Sequence, residues 1–388
     1  MTDASSPIAP DSWPVVRSFV VDDDPVSNRV VQARLSALGH TVASVTSGEE
    51  ALEKLADFRP DVLLLDISMP GLNGLEVLEK IRSRKLDLAV IMMTAYGTEK
   101  VAIEALRRGA DDYLRKPFEP AEFRTVLNRT VSRILLSRQN EALRRQLDEK
   151  RRQLEAELVR AGAVQADLLP NEAPRLAGFD LAATCVPARE IGGDFYGWME
   201  AEEDCLTLTL GDVMGKGMPA ALLMATARAV LRALSPQHSP EETINIAAHA
   251  LEADLQRSGR FVTLFHARLD VRERCLSYVD AGHGHAFVRR ANHTLERLGE
   301  GGGLPLGILP GATYAEGHLT FSPGDTLVVY SDGLVDANPS LNNSSIAEAL
   351  NGASGAAQMV DRLIRLPNLA GPPPDDLTVL VLHCCEGA

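Results

Sequence analysis

The chain has 388 residues, 45% of them hydrophobic and 24% charged, a composition of folded domains and a length that favours two cores over one. With 39 basic and 53 acidic residues the net charge is −14, which argues against binding nucleic acid through bulk charge, and no basic helix-turn-helix unit stands out. No stretch approaches the roughly 18 apolar residues of a membrane span, and no basic-then-apolar leader opens the chain. The five cysteines are odd in number and form no Cys-x-x-Cys pair, so they read as reduced thiols of a cytoplasmic protein.

Residues 1–14, rich in Ser, Pro, Ala and Asp, read as a loose tail. From 15 to about 130, strand-like and helix-like segments alternate. Strands are expected at 18–21, 62–65, 89–93 and 113–114, and helices at 25–38, 48–58, 74–84 and 99–108. Such alternation predicts a doubly wound, flavodoxin-like α/β domain, a parallel sheet covered on both faces with its site at the carboxyl ends of the strands. From 120 to 166 the chain is highly charged and nearly free of helix breakers, and Leu136, Leu143, Leu147, Leu154 and Leu158 recur at spacings of seven and four. That predicts a long linker helix with a seam suited to a dimeric coiled coil, although Asn140 and Lys150 interrupt the seam. Pro170 ends the helix. From 167 to 388, short strands are expected at 180–185, 206–210, 261–269, 275–279, 286–290, 326–330 and 377–382, with helices at 219–234 and 240–258. This pattern predicts an α/β sandwich of antiparallel sheets flanked by helices. Residues 338–345 and 371–374 read as loops, and Gly301-Gly302-Gly303 as a flexible one, since no Lys-Ser/Thr follows it to make a phosphate loop.

Acidic residues placed beside apolar runs carry the chemistry. Asp22-Asp23 follow Phe19-Val20-Val21, and Asp66 follows Val62 to Leu65. A second group comprises Asp194, Asp212 after Leu206 to Gly211, Asp332 after Leu327 to Ser331, and Asp375-Asp376 ahead of Leu377 to Leu382. Carboxylates gathered at strand ends lose hydration and repel one another, so each group calls for a compensating cation. All-oxygen ligand sets suit hard ions such as Mg2+ or Mn2+.

The ordered pieces Val20-Val21-Asp22-Asp23-Asp24-Pro25, Leu64-Leu65-Asp66-Ile67-Ser68-Met69-Pro70-Gly71, Met93-Thr94-Ala95 and Arg115-Lys116-Pro117-Phe118 resemble the receiver domain of bacterial response regulators, over about 15–130. The resemblance implies that Asp66 is the phosphoacceptor. It implies one Mg2+ held by Asp22, Asp23, Asp66 and the Ser68 carbonyl. Lys116 would pair with a phosphoryl oxygen, the Thr94 hydroxyl would follow the new charge, and Tyr113 would be the switch aromatic.

The second half is similar to the metal-dependent (PPM, type 2C-like) protein phosphatases of the SpoIIE/RsbU type, on Arg189-Glu190-Ile191-Gly192-Gly193-Asp194-Phe195-Tyr196, Gly211-Asp212-Val213-Met214-Gly215-Lys216-Gly217, Ala281-Gly282-His283, Tyr330-Ser331-Asp332-Gly333-Leu334 and Asp375-Asp376-Leu377-Thr378. This implies two Mg2+ or Mn2+ ions bridged by Asp212, with the Val213 carbonyl and the carboxylates of Asp194, Asp332 and Asp375 as further ligands. Of Asp375 and Asp376 the first is preferred, because the family's acid leads that motif. His283 and Lys216 are auxiliary candidates for proton donation or phosphate contact, against the plainer readings of a turn histidine and a solvated lysine. His285 is a weaker candidate, and Asp376 is auxiliary too. The family often has an acid where Gly197 stands, so an auxiliary contact is missing here.

The expected protein is a response regulator phosphorylated by a sensor histidine kinase. Its output would be hydrolysis of phosphoserine or phosphothreonine on an anti-sigma-factor antagonist. It is expected to be a homodimer through the linker helix, with no nucleic-acid or membrane partner. The rival reading is a non-catalytic, phospho-gated adaptor that binds a sigma factor or its regulator; retention of Asp194, Asp212, Asp332 and Asp375 speaks against it.

Overall fold

The computed structural model describes residues 15–95, 99–202 and 204–385, and the chain divides into two compact units that meet near Arg151. The expected tail at 1–14 lies outside the described residues.

The first unit alternates β1 (Arg17–Val21), α1 (Pro25–Ala37), β2 (Thr41–Val45), α2 (Gly48–Phe58), β3 (Val62–Asp66), α3 (Gly74–Ser83), β4 (Ala89–Thr94), α4 (Glu99–Arg107) and β5 (Asp112–Arg115). The strands form one parallel sheet in the order β2-β1-β3-β4-β5. Apolar residues pack both of its faces. Phe19, Leu63, Leu65 and Val90 lie on one side, Val20, Leu64, Ile91 and Met93 on the other. That is why β3 and β4 read as unbroken apolar runs. β2 is a partly exposed edge strand with a weaker signal, and the sequence reading passes over it.

Helix α5 (Pro120–Ala166) runs for 47 residues, as expected. Phe123, Val126, Leu127 and Val131 on its first turns are buried. Further along, Leu136, Leu143, Leu147 and Leu154 stand more than half exposed, so these four are largely uncovered among the described residues, while Leu158 is half-buried.

The second unit continues with β6 (Phe179–Val186), β7 (Phe195–Glu202), β8 (Cys205–Val213), α6 (Met218–Leu234), α7 (Pro240–Ser258), β9 (Val262–Asp270), β10 (Cys275–Ala281), β11 (Ala286–Arg289), β12 (Leu295–Arg297), β13 (Gly302–Gly303), β14 (Gly317–Thr320), β15 (Thr326–Tyr330), α8 (Gly333–Ala337), α9 (Asn343–Leu350), α10 (Ala356–Arg365) and β16 (Leu377–Cys384). One sheet runs β13-β10-β9-β8-β7, with β14 beside β10, and the other β12-β11-β15-β16-β6. Leu206, Leu208, Phe265, Leu327, Val329 and Leu380 form a core that draws on both sheets. A second core joins α6 and α7 to the first sheet, and a third joins α9 and α10 to the other. The result is the expected sandwich, with helices outside and two sheets within.

Two expectations need correction. Residues 338–345 are not all loop: Asn342 accepts a hydrogen bond from the Ser345 N–H and starts α9. Gly301–Gly303 is not a free loop either, because Gly302 and Gly303 pair in parallel with Asp280 and Ala281. A Cβ on Gly303 would meet the Tyr314 ring at 2.7 Å. Gly301, whose Cβ would meet the Gly317 nitrogen at 2.1 Å, and Gly303 reflect close packing, which composition cannot distinguish from flexibility.

Candidate functional sites

In the first unit β1 and β3 are neighbours in parallel register, Val21 beside Leu65, so the residues at their carboxyl ends meet. Asp22 and Asp66 are buried, and with Asp23 they bring carboxylate oxygens within 4.8 Å of one another. Asp22 is held by the Ser27 hydroxyl at 2.5 Å and the Asp24 N–H at 3.1 Å, while Asp24 itself caps α1. Lys116 follows β5, and its Nζ lies 2.7 Å from Asp22 and 3.2 Å from Asp66. Burial pushes the Asp66 carboxyl above its ordinary pKa; Lys116 opposes this, and Asp22 and Asp23 add to it. Three acids against one lysine leave negative charge in excess, and the donor set fits one hard cation. Thr94 is buried at the end of β4, Ser68 is exposed in the loop after β3, and Tyr113 on β5 is 39% exposed. The predicted receiver residues are thus gathered at one end of one sheet.

The second group is assembled by antiparallel pairing. Phe195 pairs with Gly211, which places Asp194, one residue before β7, opposite Asp212 near the end of β8. In the other sheet Tyr330 pairs with Val379, and the Ser331 N–H donates to the Thr378 carbonyl, so Asp332 and the Asp375-Asp376 segment emerge side by side. A buried side-chain hydrogen bond ties the two sheets here, from the Thr378 hydroxyl to Asp194 at 2.6 Å. Asp332 follows its strand, Asp212 lies within β8, and Asp194 and Asp375 precede their strands.

The electrostatics show what this grouping costs. Asp194 is buried, and its carboxyl is pushed well above the ordinary range, first by burial and then by Asp212. Asp212 is raised to about 7, by burial, then Asp332, with Asp375 adding to it. Asp332 is raised as well, by desolvation, then Asp336 and Asp375. Acids this close cannot all ionise without a cation. Lys216 offsets one of them, its Nζ lying 2.9 Å from Asp375 and 2.6 Å from the Pro374 carbonyl. Among the described residues, no three side chains of this second group bring ligand atoms as near one another as Asp22, Asp23 and Asp66 do. It is a wider site than the first. Its all-carboxylate chemistry and unoffset charge fit more than one divalent ion.

Asp375 and Asp376 separate cleanly. Asp375 faces the cluster at one-third exposure. Asp376 is buried and turned to the backbone, accepting from the Ala188 N–H at 2.8 Å and the Gly193 N–H at 2.6 Å. A Cβ on Gly192 would meet an Asp376 oxygen at 2.3 Å, and one on Gly193 the Val213 carbonyl at 2.6 Å. The paired glycines before Asp194 are therefore required by close approach. His283 is a buried turn residue: its N–H donates to Asp280 at 2.7 Å, and burial pushes its imidazole down to about 3. It is neutral near pH 7 and poorly suited to give up a proton there. His285 stacks on Tyr330 at 5.2 Å.

Three contributors are absent from the sequence reading. Thr378 orients Asp194. Gln165, on the last turn of α5, makes a two-point clamp on Gly192, donating to its carbonyl at 2.8 Å and accepting from its N–H at 3.0 Å. Arg260 donates to the Met214 carbonyl beside Asp212. The Asp-Leu-Thr order hints at Thr378; nothing local in the sequence marks the other two.

Residues 19–128 match the family described as Response regulator receiver domain, and residues 202–384 match Stage II sporulation protein E (SpoIIE). The chain joins a response-regulator receiver domain to a SpoIIE-family domain. The receiver is 44% identical over 119 residues to Response regulator MprA of Mycobacterium ulcerans, covering 30% of this chain and 51% of MprA. A segment of 208 residues is 29% identical to Protein IcfG of Synechocystis, covering 47% of this chain and 33% of IcfG. The chain thus spans about half of one relative and a third of the other. The SiaA-PP2C domain of Pseudomonas aeruginosa is similar in fold at 20% identity and a TM-score of 0.52, covering 60% of this chain and 98% of that domain. The SpoIIE-family domain accordingly has a PP2C-like fold, and its acids lie where the two sheets open.

Proposed function

We propose that the receiver controls a metal-dependent protein serine/threonine phosphatase in the SpoIIE-family domain. The observation that carries this reading is the grouping of Asp194, Asp212, Asp332 and Asp375, from four separate segments, where among the described residues Lys216 forms an ion pair with Asp375 while Asp194, Asp212 and Asp332 are all raised. Two divalent ions, Mg2+ or Mn2+, would when bound polarise a water and offset charge on the phosphoryl group. Asp194, Asp212, Asp332 and Asp375, with the Val213 carbonyl, would be the groups that hold them. Thr378 holds Asp194 at a set angle, and Asp376 holds the loop that carries it. Water oxygen bonds to phosphorus as the serine or threonine ester bond breaks, and the leaving oxygen takes a proton from solvent. No protein nucleophile is needed.

In the receiver, an Asp66 oxygen attacks phosphorus on a sensor kinase's phosphohistidine. The phosphorus–nitrogen bond breaks and an acyl phosphate forms. Lys116, already 3.2 Å from Asp66, pairs with the arriving charge, and Asp22, Asp23 and Asp66, with the Ser68 carbonyl, would hold one Mg2+ that offsets the rest of it. The uncovered leucines of α5 support pairing with a second copy of this chain. The protein substrate proposed is a phosphorylated anti-sigma-factor antagonist, by similarity to the SpoIIE family.

The test is hydrolysis of a phosphoserine peptide by the full chain in Mn2+. Wild type should turn it over, and Asp212→Asn should lose at least about a thousandfold of that rate. Turnover retained in the variant removes Asp212 from the chemistry, and none in wild type favours the adaptor reading.

A further inference from the structure

Phe195, the residue after Asp194, also lines a cavity of about 280 Å³ that plays no part in the proposed hydrolysis. Its apolar wall comes from Trp198 and Met199 on β7, Leu231 on α6, and Leu169 and Pro170 beyond α5. Arg228 and Arg232 enter it from α6, one helical turn apart. Among the described residues neither forms an ion pair with an acid, and the buried Nε of Arg228 has no hydrogen-bond partner. Burial, and then Arg232, depress the Arg228 guanidinium. Such an unsatisfied buried donor is costly unless something supplies an acceptor. The hydroxyls lining the cavity hydrogen-bond elsewhere, Thr207 to the Met199 carbonyl, Ser235 to the Leu231 carbonyl and Thr209 with His266, and none of them reaches the Arg228 Nε.

We propose that this cavity binds a small organic carboxylate, its charged group held by Arg228 and Arg232 and its apolar body laid against Trp198 and Leu231. The charge balance favours a monoanion. Two arginines face one acid, Asp167, so the cavity carries one positive charge in excess. A planar guanidinium matches a carboxylate in two-point geometry, and a mixed apolar and cationic lining suits a ligand with a charged end. Gly197 adds an independent feature. It lines the same cavity, and a Cβ there would meet nothing within 4 Å. The missing side chain leaves room for a ligand and removes a position from which a carboxylate could have answered the arginines.

The experiment titrates full-length protein in EDTA with 2-naphthoate and with neutral 2-naphthamide, by calorimetry. Saturable binding of the carboxylate, at least tenfold tighter than the amide, is expected. Arg228→Met should weaken it at least tenfold. Gly197→Glu, which the open space tolerates, should do the same by placing a tethered carboxylate in the cavity, with the ligand-free unfolding midpoint unchanged. The proposal is overturned by an absence of saturable binding, by equal affinity for acid and amide, or by full affinity in both variants. The readout is binding to metal-free protein, so it stands or falls separately from the hydrolase.

Discussion

The two acidic clusters use the same side chain to different ends. In the receiver, Asp22, Asp23 and Asp66 lie within one ion's reach, and Lys116 already bridges two of them. In the SpoIIE-family domain the acids are spread more widely, Lys216 answers Asp375 at the rim, and Asp194 is buried with a hydroxyl as its donor. The first pocket is partly neutralised by its own chain and prepared for one phosphoryl group. The second is left short of positive charge, which under the proposed reading ions from solution would supply. A lysine at the centre of the second site would stabilise it and also occupy the space its ions need.

The sharpest way to break this comparison is at the receiver. Asp66→Ala should abolish labelling by acetyl phosphate, seen as loss of the added mass on the intact protein, while Mn2+ binding by the second domain persists. Labelling at the wild-type level would move the acceptor elsewhere. Next in size, Thr378→Val removes the donor to Asp194 and should weaken Mn2+ binding about 10–100-fold, with little change in the receiver. Unchanged affinity would show that Asp194 needs no orienting partner. Asp376→Ala strips one buried and one half-buried N–H group of their acceptor and should destabilise the second domain by about 2 kcal/mol in urea, leaving the receiver transition in place. A variant as stable as wild type would remove Asp376 from the support of the Asp194 loop.

The smallest effect expected is on pH dependence. The Asp212 carboxyl is raised to about 7 in the folded, metal-free chain, so the native state holds a proton that the unfolded chain releases near pH 4. Stability in EDTA should therefore fall as pH rises from about 4 through about 7, by about a few degrees in midpoint. Saturating Mn2+ should cancel or reverse that slope, because the ions favour the ionised acids. The same falling slope with and without Mn2+ would contradict the assignment.

Much of this was legible in the sequence because the information is local. The apolar runs of β3 and β4 and the acids beside them lie in contiguous stretches, and 121–166 carries no proline and a single glycine, Gly162, to interrupt α5. Asp194 and Asp212 were legible as residue types, but their juxtaposition depends on the Phe195–Gly211 register, which no single segment encodes. Gln165 and Arg260 were hidden for the same reason, since each serves a backbone group far along the chain. β12, β13 and β14 are two to four residues long and gain their order from neighbouring strands, so periodicity gave them no signal. Asp375 and Asp376 look alike in a string of letters; burial and backbone donors separate them.

The most direct measurement is Mn2+ titration of a chain whose receiver site is disabled by Asp23→Ala and Asp66→Ala, read by calorimetry and by p-nitrophenyl phosphate turnover in the same sample. Saturable heat, proton release near pH 7 and turnover rising in step with occupancy are predicted. A flat titration, or hydrolysis indifferent to EDTA, would mean that the second cluster is not a metal-dependent hydrolase centre.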